Sequence, residues 1–197
     1  TNLQRLFNQG GILNFPTNKT IYCNGLVYLD KKTTIKGNLS ILLNGQITNT
    51  NSFNDVVIKD LEFASNLTSG TESWIGLYFH NVNNIKTENC YFNNIRVYFR
   101  SDNGTVNKSI SVNKCKFKSE WTNFSFSTLQ LDSLNVNGYN NVIIDSNEFD
   151  CIDVNRILKI SADTSFAVSS PNPLAIVRGF ILINNIINGI INGGIGG

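Results

Sequence analysis

The sequence predicts an all-β chain wound as a single-stranded right-handed parallel β-helix, with a short capping helix at its N-terminal end. Three observations predict it. One eight-residue pattern recurs five times, apolar residues alternate strictly within each copy, and the composition is rich in Asn, Ser and Thr while only 15% of residues are charged. A typical soluble domain carries roughly 25% charge. A solenoid, whose many turns select Asn and Gly, accounts for the difference.

The repeated pattern is an apolar residue, any residue, an apolar residue or Thr, two polar residues, a small or apolar residue, any residue and usually Phe. Its copies begin at Val56, Ile85, Ile110 and Val142, with a weaker fifth at Ile181. Alternation over three residues gives a strand with one buried face. The polar pair breaks the alternation and turns the chain into a second short strand. The spacings of 29, 25, 32 and 39 residues are too uneven for leucine-rich or ankyrin arrays but suit a coil whose loops swell on one side.

Stacking the copies predicts an internal column of Phe63, Phe92, Phe117 and Phe149. A neighbouring column follows, of Leu61, Cys90, Cys115, Asn147 and Ile186. Like side chains about 4.8 Å apart pack face to face on parallel strands, and Asn amides form ladders. Between the copies lie further alternating runs, Ile75–His80, Ile95–Arg100, Leu129–Asp132 and Ile157–Ser161, which supply another wall. At the start, Leu3, Leu6 and Phe7 have helical spacing, and a helix there covers an exposed strand edge. The organisation expected is a cap and lead-in over 1–11 and one coil over 12–197, as a piece of a longer polypeptide. Ile181 to Ile191 then needs a further turn or a partner to cover it.

Charge and cysteine usage exclude several classes. A net charge of +2 from scattered lysines gives no nucleic-acid groove. Cys23, Cys90, Cys115 and Cys151 show no C-x-x-C spacing, so no metal site, redox motif or cofactor is expected. No apolar run reaches the roughly 18 residues that a membrane span requires, so no membrane insertion is predicted.

Gly10-Gly11-Ile12-Leu13-Asn14-Phe15-Pro16, the preceding Leu3–Phe7 stretch, and Thr33-Thr34-Ile35-Lys36-Gly37 together resemble the opening of the pectate-lyase-like β-helix family. Bacteriophage tailspikes and capsule depolymerases are closest in style. The likeness is one of fold, and fold alone does not fix function. It implies a polysaccharide or oligosaccharide partner, a homotrimer or larger assembly, and a place in a virion tail or outside the cell. The chain departs from the family at Asn18-Lys19, where a Gly is frequent. It also lacks the paired aspartates with a Gly-His-Gly segment of polygalacturonases and the Arg and Asp clusters of calcium-dependent pectate lyases.

If Ile75, Leu77, Phe79, Ile95, Val97 and Phe99 face inward, then Tyr78, His80, Arg96, Tyr98 and Arg100 project from one outer wall. Gln130, Asp132 and Lys159 follow on later turns. Aromatic rings and fork-like hydrogen-bonding groups are what sugars require. Glycoside hydrolysis requires two carboxyls about 5–9.5 Å apart, and Asp132 with Asp102 or Asp163, one turn away, are the candidates. His80, the only histidine, is a candidate acid or base or a plain surface residue. A lyase would draw its base from Tyr78, Tyr98 or a basic side chain. Trp121, in an irregular segment, is a candidate sugar platform or loop packing. The outward carboxylates and cations equally suit a non-catalytic structural or adhesin solenoid.

Overall fold

The computed structural model describes residues 2–66, 75–101, 109–119, 124–133, 139–151, 154–162, 177–178 and 181–188. Nearly all of these are strand, preceded by one helix, Asn2–Gln9. The strands form a parallel sheet curled on itself, and residues of one copy of the repeat pair with the corresponding residues of the next.

Three stacks of parallel strands result. Val56 lies beside Ile85, Ile85 beside Ile110, and Ile110 beside Val142 in the first stack. Phe63, Phe92, Phe117 and Phe149 follow one another in the second. The third runs from Gly25–Tyr28 through Gly45–Thr48 to the strands Ile75–His80, Arg96–Ser101, Phe124–Ser133 and Val154–Ala162.

The core lies inside the curl, and alternation puts it there. Val56, Ile58, Phe63, Phe92, Phe99, Phe117 and Leu129 are fully buried, while their strand neighbours alternate outward. The four phenylalanines of the second stack pile up with ring centroids 5.1, 4.9 and 4.7 Å apart and nearly parallel planes. The third stack has its own ring pair, Phe79 on Phe99 at 6.4 Å.

The bends explain the Asn content. Between first-stack and second-stack strands the chain takes positive φ at Asp60, Asn89, Lys114, Ser146 and Asn184, between 51° and 56°. Asn and Asp tolerate this left-handed region because their short side chains bond locally. The corners are also tied to one another. The Asn89 amide donates to Asp60 at 2.7 Å, and the backbone N–H of Lys114 donates to the carbonyl of Asp145 at 3.1 Å.

Just inside those corners, Cys90 and Cys115 are buried free thiols in adjacent copies. A hydrogen bond to Cys115, with burial second, raises the pKa of the Cys90 thiol above its ordinary value. Asn147 continues the column. Its Oδ1 accepts the Cys115 N–H at 2.8 Å, and its Nδ2 donates to the carbonyl of Val112 at 3.0 Å and to Asn185 at 2.9 Å.

The register of the last copy differs from the expectation by one residue. Ile181 pairs with Ile143, and Ile187 with Phe149, so Asn185 and not Ile186 follows Asn147 in the column. The Asn147–Asn185 amide ladder decides the alignment, since Ile181-Leu182-Ile183 is apolar throughout and offers no alternation to fix it. On these last described strands Ile181, Leu182, Ile183, Ile186 and Ile187 are all exposed.

Ahead of the first copy the strands are longer than the repeat. Thr33–Thr48 is one continuous strand, and Thr20–Tyr28 is another. Lys36 pairs with Lys59 and Ser40 with Leu61, so two extra residues bulge out of the longer strand between them. Asn38 and Leu39 take φ of 52° and 61°, and a Cβ on Gly37 would stand 2.4 Å from the Asp60 carbonyl oxygen. Only glycine fits that close approach.

Candidate functional site: an aromatic and charged wall

The third stack carries the site. Tyr78, Tyr98, Gln130 and Lys159 are successive partners across four strands. His80, Arg100, Asp132 and Ser161 are successive partners two residues further along. The sequence folds this way because Leu77, Phe79, Val97, Phe99, Leu129 and Leu131 alternate with them and are buried. A bulge at Gly76 adjusts the first strand, where Ile75 pairs with Arg96 but Leu77 with Val97. A Cβ on Gly76 would meet Ile95 at 2.4 Å, so the bulged residue has no room for a side chain. Ile75, expected inward, stands on the near side of that bulge and is only partly buried.

The Tyr78 and Tyr98 rings stack with centroids 4.9 Å apart and planes 20° from parallel, and the His80 ring lies 6.0 Å from Tyr78. The Arg96 guanidinium sits 4.9 Å from the Tyr98 ring centroid, a cation–π contact. Arg96 Nη2 donates to Gln130 Oε1. Gln130 Nε2 donates to Asp132 Oδ2 at 2.6 Å, and the Tyr98 hydroxyl donates to the same oxygen at 2.7 Å. The result is a directed relay, Arg96 to Gln130 to Asp132, with Tyr98 closing on its acceptor end.

The electrostatics follow from this geometry. Burial first, then the Asp132 carboxylate, pushes the Tyr98 phenol well above its ordinary range, so Tyr98 is a neutral donor and a poor base. Burial lowers the Arg96 pKa, opposed by Tyr98, Asp132 and Tyr78. At one end of the wall, Asn49 clamps the strand by accepting the His80 N–H at 2.8 Å and donating to the His80 carbonyl at 2.6 Å.

Seven of the residues expected at the site therefore meet: Tyr78, His80, Arg96, Tyr98, Arg100, Gln130 and Asp132. Arg96 and Gln130, expected to project openly, are only 8% and 6% exposed. Side chains on adjacent strands about 4.8 Å apart cover one another's stems. Lys159 is in register by its backbone, and its side chain lies outside the described residues. Asp102, Asp163 and Trp121 also lie outside them. Asn49, which pins the end of the wall, was not anticipated, although its place just after the Ile47–Thr48 pair at a strand end is the available signal.

Among the described residues no group of three or more His, Cys, Asp and Glu side chains is placed to hold a metal ion, and no helix is long and apolar enough to cross a membrane. No family model, curated protein or solved structure matches the chain.

Proposed function

We propose that this chain is a right-handed parallel β-helix of the pectate-lyase-like kind that binds a polysaccharide or oligosaccharide along the Tyr78–Asp132 wall. On this reading it is a domain of a tailspike-like phage protein that acts on host surface polysaccharide. It works as a homotrimer or within a larger assembly, in a virion tail or outside the cell. The in-register parallel copies support the coil, and nearly all parallel crossovers are right-handed. The role of Asn2–Gln9 as a cap is supported by Gln4, which donates to the Tyr28 carbonyl and accepts the Tyr28 N–H, both at 2.8 Å.

The observation that carries the function is the relay ending on Asp132. A carboxylate oriented by two donors beside two stacked tyrosines offers a sugar hydroxyl a fixed acceptor and an aromatic flank. For cleavage, Asp132 supplies one carboxyl, and Asp102 or Asp163, which the sequence offers and which lie outside the described residues, is the candidate for the second that hydrolysis requires. A lyase route through Tyr98 is disfavoured, because its phenol is held protonated.

One observation favours a non-catalytic structural or adhesin solenoid instead, namely that Arg96, Gln130 and Tyr98 spend hydrogen bonds on one another and on Asp132. Asp132→Asn and Tyr98→Phe, assayed for binding and for release of reducing ends across capsular and cell-wall polysaccharides, separate the two. Loss of both signals in Asp132→Asn supports the enzyme. Binding without cleavage by the parent chain supports the module. Binding unchanged in both variants removes the wall from the function.

A further inference from the structure

We propose that the second stack carries an independent groove for a short neutral oligosaccharide, on a different face from the Tyr78–Asp132 wall. The groove holds about 330 Å³, and Leu39, Asp60, Glu62, Tyr91, Lys114 and Lys116 line it. That volume is at the lower end of the range of small-molecule sites.

The bulge in Thr33–Thr48 builds one lip. Its two extra residues push Leu39 outward until it is 66% exposed, against the corner at Asp60. The floor is Tyr91, half-buried between Glu62 and Lys116, its partners on either side. The far lip is Lys114, beside Lys116. From Leu39 to Lys114 the groove crosses three strand spacings, about 14 Å.

Two backbone features single this place out. Leu39 has φ of 61° and Lys114 has φ of 51°, whereas the other corner residues of the column are Asp60, Asn89, Ser146 and Asn184. A bulky side chain in the left-handed region is disfavoured, and such strain collects where a side chain is needed for something besides folding. Here both strained residues line one groove. Bulges likewise re-aim side chains beside sites.

The chemistry selects the ligand. Asp60 and Glu62 balance Lys114 and Lys116, so the groove sums to no net charge. Lys116 is further held by Glu148 at 3.0 Å. A ligand fitting it has an apolar face for Leu39 and Tyr91 and a rim of hydroxyls for the carboxylates, Asn89 and the ammonium groups. A neutral saccharide has both, and no ionic attraction is required.

The test uses the full chain, ¹⁵N-labelled, titrated with neutral gluco-, galacto-, manno- and N-acetylhexosamine trisaccharides and with an acidic trigalacturonate. At least one neutral trisaccharide is expected to shift the Leu39, Asp60, Tyr91 and Lys114 amides, with little dependence on salt. Leu39→Gly and Lys114→Asn relieve the strained corners, so both are expected to fold at least as stably as the parent while binding about tenfold more weakly. Tyr91→Ala is expected to lose binding to a similar degree, and Asp132→Asn to leave this groove unaffected. The inference is overturned if no neutral trisaccharide moves these amides, if only the acidic sugar does and salt abolishes it, or if Leu39→Gly and Lys114→Asn bind like the parent. Shifts confined to Tyr78, Tyr98 and Gln130 overturn it while leaving the first wall's reading intact.

Discussion

Replacing Asn147 by Ala strips two backbone groups of their partners in a place water does not reach. Asn147 is 1% exposed, and its side chain serves the Cys115 N–H and the Val112 carbonyl as well as the Asn185 amide. Each buried backbone group left unsatisfied costs about 1–3 kcal/mol, so Asn147→Ala is expected to lose about 2–6 kcal/mol. Asn185→Ala removes the bonds to the carbonyls of Ile144 and Ile183, where solvent has access, and takes the acceptor from one buried backbone group, the Asn147 N–H at 3.0 Å, so its loss is expected at about 1–3 kcal/mol and below that of Asn147→Ala. Equilibrium urea unfolding followed by far-UV circular dichroism measures both, with an unchanged m-value showing that the unfolded state is the same. A third variant gives the sign in pH. In Asn147→Asp the buried carboxyl has a folded-state pKa above the ordinary value of about 3.9, so the folded state keeps a proton that the unfolded state releases. Stability then falls as pH rises through about 4 and upward, and acid partly restores it. Equal losses for Asn147→Ala and Asn185→Ala, or a loss below about 1 kcal/mol for the former, refute the assignment of the amide ladder as a core element.

Three further outcomes follow from the same contacts. Phe117→Ala empties the centre of a stack with Phe92 and Phe149 at 4.9 and 4.7 Å and is expected to cost about 3–5 kcal/mol by urea unfolding, with Phe117→Leu costing less than half as much. Gly37→Ala drives a Cβ to 2.4 Å from the Asp60 carbonyl oxygen, where backbone on both sides resists moving, and is expected to cost at least about 1–3 kcal/mol; a neutral result sinks the bulge geometry. Tyr98 has a folded-state pKa raised above its ordinary 10.0, so its contribution is fully present below pH 10 and is lost as pH rises beyond it. Alkaline titration of thermal stability should therefore show a steeper fall above pH 10 in the parent than in Tyr98→Phe, and identical curves overturn the buried Tyr98–Asp132 bond.

Where hydrophobic alternation was regular, the sequence alone located the elements. The copies at Val56, Ile85, Ile110 and Val142 fill their inward positions with apolar residues except at Thr87 and Asn147, and their pairing follows that pattern. The same alternation placed Tyr78, Tyr98, Gln130 and Asp132 on one wall. The last copy resisted because Ile181-Leu182-Ile183 satisfies either face, and the adjacent Asn184 and Asn185 satisfy either bend position. The long strand Thr33–Thr48 resisted because Gly37-Asn38 reads as a turn between two strands, whereas the pairs on either side continue through it as a bulge. The relay from Arg96 was hidden for another reason. Sequence gives the direction of a side chain from a strand, but how far Arg96 folds back over Tyr98 to reach Gln130 depends on side chains of neighbouring strands.

Each inner copy of the repeat bonds to the copy before it and the copy after it, and the corner residues take the same left-handed turn in all five copies. A chain organised so behaves like a ruler with equal divisions. Inserting or deleting one complete copy shifts everything beyond it by about 4.8 Å along the stack while each remaining copy still meets a neighbour of its own kind. The distance between the Leu39 bulge and the Asp132 carboxylate can therefore be reset in whole divisions by duplication, without redesigning either surface.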